Sequence, residues 1–199
     1  MSVRMINITG NLKGFENQLA HDLAQAIKSP CEPPVEIRGE DFIRQAIPAG
    51  SHYEVIVIIA HAGSNQSNTS IDTGLRSKDY PDVVNRQLGS PDMVAQFIKG
   101  NLVPYFLVYC ACSALSPQTI TAHDIDLYCK GTVASYKKSV SSADIPQIAT
   151  IVDFLHGAGQ TLDDMDIQKE VAKITASYPD GAHFIYFPVP RVEEMTEED

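Results

Sequence analysis

Residues 53–63 read Tyr-Glu-Val-Ile-Val-Ile-Ile-Ala-His-Ala-Gly (YEVIVIIAHAG). After Glu54 the run to Ala60 is continuously apolar rather than alternating, as in a parallel strand covered on both faces. It ends on His61, followed by Ala62 and Gly63. The stretch therefore predicts an α/β protein in which a mid-sheet strand carries an imidazole to its carboxyl end.

Upstream, Val3 to Ile8 predicts a first strand, and Phe15 to Lys28, with Phe15, Leu19, Leu23 and Ile27 at helical spacing, predicts a helix. Pro30, Pro33 and Pro34 stop any continuation, Val35 to Arg38 can form a second strand, and Glu40 to Ile47 a brief helix before the Pro48 to Gly50 turn. Downstream, Gly63 to Tyr80 is polar and reads as a long surface loop, and Asp82 to Lys99 reads as helical. Pro104 to Cys110 is a second fully apolar strand. Thr132 to Tyr136 gives a fifth strand, helices follow over about Ala143 to His156 and Leu162 to Ser177, and Phe184 to Val189 closes the sheet. Six strands with helices between most of them predict a three-layer α/β/α sandwich with a mainly parallel sheet.

A chain of 199 residues that is 44% hydrophobic can bury one full core, so residues 1–191 are expected to form a single domain. Residues 192–199 (VEEMTEED) read as a solvated acidic tail. The net charge of -10 repels phosphate backbones and anionic membrane surfaces, which argues against nucleic-acid and membrane partners. The amino terminus lacks a secretory signal pattern and no apolar run reaches the length of a membrane span, so a cytoplasmic protein is expected. In that compartment Cys31, Cys110, Cys112 and Cys129 are expected as thiols.

In such sheets chemistry collects at the carboxyl ends of central strands. The fourth strand runs on as FLVYCACSAL, so Cys110 and Cys112 leave its carboxyl end as His61 leaves the third. Neighbouring parallel strands lie about 4.8 Å apart, close enough for an imidazole and a thiol to form a dyad. Cys112, beyond the strand, is better placed than Cys110 to project into a cleft, and the backbone N–H groups of Cys112 and of Ala62 or Gly63 could hold an oxyanion.

The motifs IIAHAG (58–63) and YCACSA (109–114) resemble those of the caspase-like (clan CD) cysteine peptidases, within them the CHAT and separase branch. In those proteins one strand ends in His-Gly and the next in Ala-Cys-X-Ser or a relative of it. The segment KGTVASYKKSVSSADIPQIATIVDFLHGAGQTLDD (130–164) is similar to the family's following strand, turn and helices. The resemblance covers roughly residues 53–189 in element order. It implies a caspase-like fold, a hydrolase that cleaves a protein or peptide substrate with Cys112 and His61, no cofactor, and a possible activating or regulatory protein partner. Ala62 stands between the histidine and Gly63, and Cys110 stands where many relatives carry a pocket-lining Asp or Gln, so no side-chain preference is implied. Cys110, Asp72 and Asp144 are the candidate substrate-binding residues.

Other readings stay open. The chain could be an inactive caspase-like scaffold that binds a partner protein, or a small-molecule sensor of doubly wound fold. Cys110, Cys112 and His61 lack the second ligand pair that a zinc site needs, so no metal is expected. Neither a phosphate-binding loop nor a G-x-S-x-G elbow occurs. Cys31 and Cys129 read as structural, His123 as a surface residue, His156 as a cationic helix cap, and His183 as the start of the last strand.

Overall fold

β-Branched and aromatic runs favour pleated, buried strands, and all six expected strands form. The computed structural model describes residues 2–9, 13–38, 51–59, 62–65, 68–71, 102–110, 130–135 and 140–188. The strands of the main sheet are β1 (Val3–Thr9), β2 (Val35–Arg38), β3 (Ser51–Ile59), β6 (Leu102–Cys110), β7 (Gly131–Ser135) and β8 (Phe184–Pro188). Their spatial order is β2-β1-β3-β6-β7-β8, so the two most apolar strands, β3 and β6, lie side by side at the centre. All neighbours pair in parallel except β7 and β8, which pair antiparallel.

The described helices are α1 (Lys13–Ala26), α2 (Ile145–Gly157) and α3 (Asp164–Ala176). Each buries one stripe. Leu19, Ala20 and Leu23 of α1, Ile148, Ile151, Val152 and Leu155 of α2, and Ile167, Val171 and Ile174 of α3 share one core cluster with Val55, Val57, Ile59, Phe106, Val108, Cys110 and Val133 of the sheet. Burying a side chain of this size contributes about 1.5–3 kcal/mol, so the stripe rather than helix propensity holds each helix in place. The alternate residues Ile56, Ile58, Leu107, Tyr109 and Ala134 stand outside that cluster and are also buried, so both faces of the central strands are covered. The expected helices over Glu40–Ile47 and Asp82–Lys99 lie outside the described residues.

The two expected helices separate β7 from β8: α2 returns the chain to the amino edge of the sheet, and α3 brings it back to the carboxyl edge. β8 therefore starts beside the end of β7, with Phe184 opposite Ser135, and must run antiparallel. The polar segment after His61 is not simply a loop. Ala62–Asn65 (β4) pairs antiparallel with Asn68–Ile71 (β5), from Ala62 opposite Ile71 to Asn65 opposite Asn68. Ser, Thr and Asn give no apolar alternation, so cross-strand backbone pairing leaves no trace in the hydrophobic pattern.

One glycine is required by packing. A Cβ on Gly131 would stand 2.2 Å from the Tyr186 ring, which packs edge-on against Phe106 at 6.4 Å between centroids. The Tyr186 hydroxyl donates to Asp164 Oδ1 at 2.8 Å and so ties β8 to the start of α3.

Candidate active site

The parallel register of β3 and β6 runs from Ser51 opposite Leu102 to Ile59 opposite Cys110. His61 lies two residues past Ile59 in sequence, and Cys112 two residues past Cys110; both lie outside the described residues. Ala62 and Gly63, the candidate oxyanion donors, open β4 and pair with Ile71 and Ser70. Asp72 follows the last residue of β5 and lies outside the described residues, as do Cys129 and His123.

Cys110 ends β6 with its side chain in the core shared with α1 and α2, 1% exposed. Burial pushes its thiol far above the usual cysteine range, and the negative charge of Asp144 adds to the shift. It remains a neutral thiol on the helix side of the sheet, with almost no surface to offer a substrate. Cys31 is half-buried and its Sγ donates to the Glu32 carbonyl at 3.4 Å; burial first, then Glu32, raises its pKa.

Asp144 closes the 3-10 turn Ser142–Asp144 that leads into α2. Its Oδ2 accepts from the Ser141 N–H at 2.7 Å and from the Ser141 hydroxyl at 3.1 Å, and its Oδ1 accepts from the Ala182 N–H at 2.7 Å. The carboxylate is 4% exposed and joins the chain after β7 to the chain before β8 at the carboxyl edge of the sheet. The half of this arrangement made with Ser141 was readable: Ser141-x-x-Asp144 ahead of Pro146 and an apolar run is a capping box. The contact with Ala182, 38 residues away, was not.

Gln147 was missed as well. It falls four residues before Ile151 and eight before Leu155, on the apolar stripe of α2, and is buried with them. Its Nε2 donates to the Ala182 carbonyl at 2.8 Å, while its Oε1 has no hydrogen-bond partner. Asp144 and Gln147 line a cavity of about 330 Å³ with Ser141, Tyr178, Asp180 and Gly181.

His156 sits in the last turn of α2, where a cation meets the negative end of the helix dipole. Its Nε2 lies 2.6 Å from Glu54 Oε2 on β3, toward the amino end of that strand. His183 is exposed and immediately precedes β8.

These features define an α/β protein with a six-stranded, mostly parallel sheet whose central strands, β3 and β6, end level at Ile59 and Cys110. No protein-family model and no curated protein matches this chain. Among the described residues, no helix is long and apolar enough to cross a membrane, and no group of three or more His, Cys, Asp or Glu side chains gathers as metal ligands would.

Proposed function

We propose that this chain is a cysteine endopeptidase of caspase-like, three-layer fold, acting in the cytoplasm on a protein or peptide substrate. The observation that carries the reading is the register of Ile59 with Cys110, because it puts His61 and Cys112 an equal two residues beyond a paired position on adjacent parallel strands. The burial of both faces of β3 and β6 supports three layers. The buried, protonated thiol of Cys110 supports Cys112 as the nucleophile.

In this mechanism the Cys112 thiolate attacks the peptide carbonyl and forms a C–S bond, and the oxyanion accepts from the N–H groups of Cys112 and of Ala62 or Gly63. As the C–N bond breaks, the His61 imidazolium gives its proton to the leaving amine. Water, deprotonated by the now neutral His61, then attacks the thioester carbonyl and releases the acid and the thiol. The steps need no cofactor. The hairpin β4–β5 bears on Asp72 as a substrate-binding residue: its register pairs Ala62 with Ile71, the residues that adjoin His61 and Asp72 in sequence.

The test is mass-spectrometric mapping of iodoacetamide labelling between about pH 5 and 9 in the wild type and His61→Ala, as thiolate fraction sets the rate. Fast labelling confined to Cys112 and dependent on His61 is expected, together with loss of peptide cleavage by at least about 10³-fold in Cys112→Ala. Uniformly slow labelling, or a Cys112→Ala chain that cleaves as the wild type does, sinks the proposal and leaves a partner-binding scaffold.

A further inference from the structure

The cavity between the start of α2 and the Tyr178 to Ala182 turn has a one-sided chemistry. Among the described residues Asp144 is a buried carboxylate held by N–H and O–H donors and by no cationic side chain. Taking a carboxylate out of water is costly, and neutral donors offset only part of that cost. Gln147 is wholly buried, and its Oε1 is an acceptor without a donor, a state that buried amides rarely keep. Gly181 lies close against this oxygen: a Cβ there would stand 2.5 Å from Oε1. Asp180 adds a second carboxylate to the lining, and none of the described lining residues is basic.

The geometry points to a binding site for an organic cation, a guanidinium or alkylammonium group held between Asp144, Gln147 and Asp180. Such a group brings several N–H donors and a positive charge to a wall that offers acceptors and negative charge. The ring of Tyr178 and the Pro179 side chain supply apolar lining for the adjoining methylenes. The site uses neither His61 nor Cys112, and of the residues in the peptidase reading it shares Asp144 alone.

The probe is butylguanidinium, with neutral butylurea as its isostere, titrated into the full-length chain while amide ¹H–¹⁵N shifts are followed. Saturable shifts of the Gly181 and Ala182 amides and of the Gln147 side-chain NH₂ are expected with butylguanidinium and not with butylurea. Gln147→Met should weaken binding at least about tenfold, the loss of one hydrogen bond to a charged group. Gly181→Ala should weaken it similarly by crowding Oε1, and the exposed-rim variant Asp180→Asn should weaken it about two- to threefold. A blocked tripeptide with central arginine distinguishes the source: tighter binding than butylguanidinium assigns the cation to a peptide side chain, and exclusion of the tripeptide assigns it to a free small molecule. The Cys112→Ala chain should bind as the wild type does, whatever becomes of the peptidase proposal. Absence of saturable shifts at tens of millimolar probe, or equal binding of butylurea, overturns the inference.

Discussion

The two ends of the sheet treat charge in opposite ways. At the amino end charges meet partners: Arg4 pairs with Glu32 and lies 5.7 Å from the centre of the Tyr53 ring, His156 pairs with Glu54, and Lys130 Nζ donates to the carbonyls of Gly159, Gln160 and Leu162 just beyond α2. At the carboxyl end Asp144 is held by backbone N–H groups and a hydroxyl, and Gln147 keeps an unused acceptor. The amino end closes the fold, with the end of α2 tied to β3 through His156 and Glu54. The carboxyl end meets its buried carboxylate with neutral donors, and each end leaves a buried polar atom unsatisfied, Arg4 Nε at one and Gln147 Oε1 at the other. An edge specialised in this way is what the crevice rule for open α/β sheets leads one to expect.

The contrast can be broken by substitution. Asp144→Ala should cost the most, about 3 kcal/mol in urea unfolding, because the Ser141 and Ala182 N–H groups lose their charged acceptor together. A loss below about 1 kcal/mol would mean that water replaces the carboxylate and that the edge is not held by it.

The next effect depends on pH. The folded pKa of Cys110 is raised by burial, so above the unfolded-state value of about 8.5 the unfolded chain releases a proton that the folded chain keeps. Stability from this group is therefore full below about pH 8.5 and declines above it, by at most about 1.4 kcal/mol per pH unit. Cys110→Ala should flatten that decline between about pH 8.5 and 10 relative to the wild type. Equal slopes in the two proteins would place the Cys110 thiol in contact with solvent.

At the amino end the effects should be smaller. His156→Ala is expected to cost about 1 kcal/mol, since it removes the largely buried contact with Glu54 that ties the end of α2 to β3. Arg4→Met should cost a few tenths of a kcal/mol, as Glu32 is 42% exposed and water screens the pair. If His156→Ala proved as damaging as Asp144→Ala, the difference between the two ends would not be one of energy.

How far the sequence could be read varied with the kind of interaction. The continuous apolar runs Val55–Ile59 and Phe106–Cys110 announced central strands, since only a strand covered on both faces can bury every side chain. The three described helices were found to within a few residues because their apolar stripes recur at helical period, and Asp163, whose carboxylate caps α3 at Asp166 N, marks a boundary with local chemistry. The hairpin at Ala62–Ile71 escaped because its strands are polar. The candidate site divides in the same way. The proximity of His61 and Cys112 in sequence to two strand ends was apparent from the runs themselves, whereas the pairing of Ile59 with Cys110 that makes those ends level is a property of the assembled sheet.

Local pattern alone, then, determined the α/β class, the six strands of the main sheet and the order of the described helices among them, because burial and helical or strand period are written into neighbouring residues. The tertiary structure alone decided the register of β3 on β6, the reversal of β8, the burial of the Cys110 thiol and the meeting of Asp144 and Gln147 with Ala182. These depend on residues far apart in the chain, whose encounter is set by how helices and strands pack and has no counterpart in the spacing of any single segment.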